Sequence, residues 1–176
     1  MKHLLILILT LLITLGYSQC NNGTNYYPSS AYTPADNAWG SATSYNYAGE
    51  VIKVNIVAGD EYQFSTCSSH GGVNASYDTQ LTLVDELGAL VDFNDDFTGC
   101  TGYTSYIKHT ATYTGVLYVH LTEYNCVANS TSTEVRIYKT PAPNGGGGSN
   151  SNVEVGDPNS TLQNGRVPAY GYYDYS

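Results

Sequence analysis

The strongest constraint in this sequence is a period of two. In residues 51–57, VIKVNIV, the apolar Ile52, Val54 and Ile56 fall on one side of an extended chain, and Lys53 and Asn55 fall on the other. The alternation returns with Tyr62, Phe64 and Thr66 against Gln63 and Ser65, and with Leu81 and Leu83 in TQLTLVD. It returns again with Leu117, Val119 and Leu121 in VLYVHLTEY, and with Val135 and Ile137 in EVRIYK. Successive side chains of a strand point to opposite faces, so each run buries its apolar face only as part of a sheet packed on another layer. Turn residues such as Gly59-Asp60 and Glu86-Leu87-Gly88 separate the runs, and no segment sustains a helical period. The pattern predicts an all-β fold, an antiparallel β-sandwich with Ile52, Val54, Phe64, Leu81, Leu83, Leu117, Val119 and Ile137 inside.

Both ends of the chain differ from this middle. Residues 1–18 begin with Lys2 and His3, continue through an apolar run at 4–15 and reach small residues at 16–18. That is the pattern of a Sec signal peptide, with cleavage expected after Ser18; lipoprotein processing at Cys20 is the competing reading, although Gln19 stands where a small residue is needed. The run is too short to span a bilayer, and no later segment could. Export in turn makes Cys20, Cys67, Cys100 and Cys126 an even disulfide set, with three pairings open to sequence alone. The sandwich is expected over residues 20–140. Residues 141–152, PAPNGGGGSNSN, read as a flexible linker, and residues 153–176 as the truncated start of a further β-domain of a longer protein. The expected location is therefore outside the cell or on its surface.

Charge excludes some partners. The chain carries 15 Asp and Glu against 6 Lys and Arg, a net charge of −9, and loss of Lys2 with a signal peptide makes it one more negative. A chain of that sign is a poor match for nucleic acid or for an anionic membrane surface.

The acidic stretch 90–100, LVDFNDDFTGC, is the first candidate for chemistry. Asp92, Asn94 and Asp96 have the spacing of an EF-hand loop, but the position that needs Gly holds Phe97 and the position that needs a bidentate Glu holds Tyr103. A catalytic carboxylate pair is disfavoured because Asp95 and Asp96, as neighbours at a strand end, are expected to point apart. Asn and Asp bond back to their own backbone, which accounts for the stretch as a turn. The alternative is a calcium site of another kind, with oxygen ligands from Asp78, Asn94, Asp95 and Asp96 if their loops converge; no other cofactor is implied. His70 is expected in a loop and His109 on a strand. His120 alternates with Val119 and Leu121, which predicts a solvent-facing ring beside Tyr118 and Thr122. A second candidate lies in the aromatic residues before the first clear strand, Tyr26, Tyr27, Tyr32, Trp39, Tyr45 and Tyr47. Exposed rings would suit an extracellular polysaccharide or protein polymer; the competing reading is that they pack over an open end of the sandwich.

Three segments carry a family resemblance: YAGEVIKVNIVAGDEYQFSTC, SYDTQLTLVDELGALVDFNDD and YTGVLYVHLTEYNC, in that order between Ala48 and Lys139. Together they resemble the bacterial pre-peptidase C-terminal domain family, in the form found in secreted multidomain proteins of Bacteroidetes. The tail GRVPAYGYYDYS is similar to the opening of another β-domain of such proteins. The resemblance implies a jelly-roll-like sandwich that is not itself catalytic, an accessory or adhesion module attached to the rest of its own polypeptide. The alternative it allows is a targeting or substrate-contact domain of a secreted hydrolase, a peptidase by preference, with its catalytic domain elsewhere. The calcium site that some relatives carry near the domain's start is not expected here, because residues 20–46 hold only Asp36. The family-like arrangement also implies disulfides Cys67–Cys100 and Cys20–Cys126.

Overall fold

The structure is a computed structural model that describes residues 19–143. The expected signal peptide at 1–18, the linker from 144 onward and the tail at 153–176 lie outside the described residues. The described residues form eleven strands: β1 (Asn25–Tyr26), β2 (Trp39–Gly40), β3 (Asn46–Tyr47), β4 (Glu50–Ile56), β5 (Glu61–Ser65), β6 (Thr79–Val84), β7 (Leu90–Asn94), β8 (Tyr106–Thr110), β9 (Gly115–Glu123), β10 (Ser132–Thr133) and β11 (Arg136–Thr140).

Two sheets face each other. One has five strands in the order β1-β4-β9-β6-β7, the other four in the order β2-β11-β5-β8, and β3 pairs separately with β10. All the long pairings are antiparallel; β1 alone joins its sheet in parallel. From β4 to β11 the main chain changes sheet at every step except the β6–β7 hairpin, a connectivity of the jelly-roll kind. The interior is made by the alternating residues: Ile52, Val54, Leu81, Leu83, Leu117, Val119 and Leu121 from the five-stranded sheet against Tyr62, Phe64, Ile107 and Ile137 from the other. Removing one such side chain, Leu117→Ala for instance, carries a cost of about 2–5 kcal/mol.

The Tyr-rich start of the chain closes the sandwich along one side. Tyr32 N donates to Lys53 O and Tyr32 O accepts from Asn55 N, both at 2.8 Å, so this segment extends the edge of β4. The chain then crosses to the second sheet, where Asn37 N donates to Lys139 O and β2 pairs with β11. An ion pair fixes the crossing: Lys139 Nζ lies 2.8 Å from Asp36 and 3.1 Å from the nearly buried Asp60.

The same start also covers the outer face of the five-stranded sheet. Cys20 is bonded to Cys126, and Gln80 on β6 packs its side-chain amide 2.8 Å from Cys20 Sγ. From there the chain passes over β9 and β4 to become β1. Gly23 makes this possible, because a Cβ there would come within 2.9 Å of Val51 Cγ2 and 3.2 Å of His120 Nδ1. The solvent-facing position expected for His120 is therefore corrected. It is on the outer face, as its alternation requires, but it is only 6% exposed, and Thr122 beside it is 1% exposed. A period of two assigns a face; it does not say whether another segment lies over that face.

This cover buries polar atoms. Thr82 Oγ1, His120 Nδ1 and Thr122 Oγ1 have no hydrogen-bond partner, at a cost of about 1–3 kcal/mol each. The cross-link offsets part of it: Cys20 and Cys126 are 106 residues apart, and closing a loop of that length stabilises by about 4–5 kcal/mol in the chain-entropy model. Burial also lowers the pKa of His120 from 6.5. Below that value the unfolded chain takes up a proton that the native histidine does not, so this residue makes stability fall as the pH drops. Replacing Cys20 and Cys126 together by Ser is expected to leave the sandwich folded while opening the cover. Limited proteolysis should then cut the chain before Asn25 within minutes, with the oxidised parent intact; equal resistance in both proteins would show that the cover holds without its cross-link.

Candidate functional site

Two places bring functional side chains together. The first is at the end of β7. The strand stops at Asn94 and the chain bends, so Asp95 and Asp96 no longer obey strand alternation. Their expected divergence is corrected: the carboxylates of Asp78, Asp95 and Asp96 offer oxygen atoms within 4.8 Å of one another. A buried hydroxyl network holds the bend. Thr66 Oγ1 and Thr79 Oγ1 are 2.7 Å apart, both accept from Ser105 N, and Ser105 Oγ reaches the Asp95 carbonyl at 2.9 Å. Asp78 is fixed from the other side, its carbonyl accepting from Tyr124 N at 3.1 Å. Asn94, predicted as a fourth ligand, has its Oδ1 engaged by Tyr106 N at 3.1 Å.

Electrostatically the three carboxylates oppose one another. Asp78 Oδ1 and Asp95 Oδ1 are buried and accept no hydrogen bond. Burial, then the charges of Asp78 and Asp96, push the Asp95 carboxyl up from 3.8 to about 6. Burial, then Asp96 and Glu123, raise Asp78 as well. Such a group either shares protons or holds a hard divalent cation, for which clustered carboxylate oxygens are the matching ligands. A turn alone accounts for Asn94 but leaves those two buried oxygens without a partner.

The second place is the surface around β1 and β3 that carries exposed tyrosines, where the Tyr26 ring also lies 5.9 Å from Tyr118 on the outer face of the five-stranded sheet. Tyr26, Tyr27, Tyr45 and Tyr47 are 49%, 46%, 66% and 40% exposed. They come from two neighbouring segments, joined where Asn46 Nδ2 donates to Tyr27 O at 3.2 Å. Glu50, 8% exposed, accepts from Asn46 Nδ2 at 3.3 Å, from Tyr47 N at 3.1 Å and from Asn25 Nδ2 at 3.5 Å. Tyr32 and Trp39 do not belong with these four. Tyr32 packs on the core, and Trp39 lies 5.3 Å from the Tyr138 ring, centroid to centroid. Neither a family model nor a curated protein matches the chain. Beside Tyr47 an open depression of about 570 Å³ is lined by Asn25, Tyr47, Glu50, Ala128, Asn129 and Ser130 among others. Of these only Tyr47 was a sequence candidate. Asn25, Glu50 and Asn129 carry no local signal, because they meet only through long-range packing.

The remaining candidates are placed simply. Cys67 and Cys100 are bonded to each other, so the Cys67–His70–Cys100 group has no free thiols. His70 packs with Phe97 and Tyr106 in a triangle of rings, 4.9 Å from the first and 4.7 Å from the second. His109 is half-buried on β8, and burial lowers its pKa.

The carboxylate cluster predicts a paired response. The folded pKa of Asp95 lies above its unfolded value, so between about pH 4 and 6 the native state holds the extra proton, and stability falls as pH rises through that window. Asp95→Asn is therefore expected to raise the melting temperature at pH 7 by about 3–5 °C, roughly 1 kcal/mol after solvent screening, with the gain vanishing near pH 4. Millimolar calcium should raise the melting temperature of the parent and move that of Asp95→Asn much less. A gain from Asp95→Asn without any effect of calcium would leave a strained turn and no cation site.

Proposed function

We propose that residues 20–140 form a non-catalytic binding module of an exported, multidomain protein, akin to the pre-peptidase C-terminal domains it resembles, and that it holds an extracellular polymer against the exposed tyrosines around β1 and β3. The observation that carries this reading is the exposure of Tyr26, Tyr27, Tyr45 and Tyr47 on two segments tied to each other and to the nearly buried Glu50. A Tyr ring supplies contact area at low entropy cost and stacks on sugar rings or peptide planes. Two disulfides fit an oxidising compartment, and the signal-like residues 1–18 support secretion or surface display. Calcium at Asp78, Asp95 and Asp96 is the one cofactor in this reading, with a structural part: it would pin the bend after β7.

Retention of the oxidised chain on insoluble cellulose, chitin and gelatin tests the proposal. Retention on at least one matrix is expected, reduced by tenfold or more when Tyr26, Tyr27, Tyr45 and Tyr47 are all replaced by Ala. Passage of the parent through all three matrices, or retention that the quadruple variant keeps, would sink it.

A further inference from the structure

We infer that the depression beside Tyr47 is a subsite for one or two residues of a neutral polysaccharide. This inference rests on the polymer-binding reading and narrows it from polymers in general to uncharged glycans.

The depression is built from three separate pieces of chain. Asn25 comes from β1, Tyr47 to Glu50 from the turn between β3 and β4, and Ala128 to Ser130 from the loop after Cys126. Small residues keep it open. Gly49 has φ +101°, and a Cβ there would lie 2.9 Å from Ala128 Cβ, so this close approach of turn and loop needs glycine. Its volume of about 570 Å³ falls within the range of small-ligand clefts, about 300–1,000 Å³.

The lining chemistry selects the ligand class. Tyr47 lines the depression and is 40% exposed, so its ring is available to the C–H face of a sugar. Asn25 and Asn129 bring side-chain amides, which donate and accept together, and Ser130 brings a hydroxyl; vicinal sugar hydroxyls have the same dual character. Both amides are already braced: Asn25 Nδ2 by Glu50, and Asn129 by Nδ2 donation to Glu123 Oε2 at 2.8 Å and acceptance from Thr131 N at 3.0 Å. Each keeps spare capacity, one Nδ2 hydrogen and at least one Oδ1 lone pair, so a ligand meets groups that need no reordering. Glu50 settles the sign. Its carboxylate supplies acceptors at the back of the site and repels anionic sugars, and the chain's net charge of −9 acts in the same direction. A cationic ligand fits less well, because three neutral N–H donors already occupy the Glu50 carboxylate and the residue is only 8% exposed.

Electrophoresis of the native, oxidised chain through gels containing soluble xylan, laminarin, galactomannan or hydroxyethylcellulose tests this, with polygalacturonate as the anionic comparison and gelatin as the protein one. Retardation by at least one neutral glycan and none by polygalacturonate is expected. Tyr47→Ala and Asn25→Ala should each weaken it about tenfold, Ala128→Leu should weaken it by filling the depression, and Tyr47→Phe should retain it. Melting temperatures within a degree or two of the parent would show that the variants are folded; should Tyr47→Ala fail that check, Tyr47→Phe and Ala128→Leu still decide. Retardation by gelatin alone would overturn the saccharide assignment and leave polymer binding standing. No retardation in any gel would overturn both, and retardation by a neutral glycan that all four variants share would place its site elsewhere.

Discussion

The structure depends on a five-stranded sheet that is buried on both of its faces. One face meets the four-stranded sheet in the ordinary way of a sandwich. The other would expose Val51, Gln80, Thr82, His120 and Thr122 at the centre of the sheet, yet all five are buried. The segment from Cys20 to β1 provides cover there, and a two-residue strand could not hold such a segment alone. The Cys20–Cys126 cross-link supplies the rest by fixing its far end at the exit of β9. A domain of about 120 residues is large enough to bury a core without help; what the disulfide adds is attachment of an irregular, polar segment that has little apolar surface of its own.

That cover explains an odd composition. Thr82, Thr122 and Gln80 occupy positions that in a sandwich open on one side would face water, and β6 is buried along all six of its residues. Their polarity is tolerated because the cross-link makes the segment's attachment independent of ideal pairing with the groups beneath it. The hydroxyl network at Thr66, Thr79 and Ser105 is a different case, since its members satisfy one another and the neighbouring backbone. It joins the end of β5, the start of β6 and the entry to β8, and so sets the position of the acidic bend.

The alternating runs made the fold legible. Ile52, Phe64, Leu83, Val119 and their like were assigned to the interior from period two alone, and each is at or near zero exposure. What could not be read was whatever depends on a second segment arriving. His120 was assigned to the correct face, but nothing in VLYVHLTEY announces that Gly23 will lie on it. The aromatic residue types likewise did not say which rings pack: Tyr32 lies against the core, and Trp39, paired with Tyr138 rather than with the inward Ile137, packs on the Tyr138 ring. At Asp95 and Asp96 the alternation rule was carried one residue too far: β7 ends at Asn94, whose side chain turns to cap Tyr106 N, and the bend that follows swings both carboxylates toward Asp78.

The cross-link and the depression are parts of one arrangement. Asn25 follows Cys20 by five residues and Ala128 follows Cys126 by two, so the disulfide brackets two of the three chain pieces that line the site. The third piece, the turn at Gly49, is bonded directly to β9 through Gly49 N and Leu121 O at 2.7 Å. Asn129 N completes the contact by donating to Ala48 O at 3.3 Å. Each lining group is thus anchored to the most deeply buried strands or to the covalent bond at their end, although all of them belong to turns and loops. Loops so anchored would not lose much conformational freedom on binding the proposed ligand, and an open, shallow depression needs that saving because it buries little of a ligand in return. The covered sheet, which costs the domain several buried polar atoms, is what allows the proposed binding surface to be made from irregular chain.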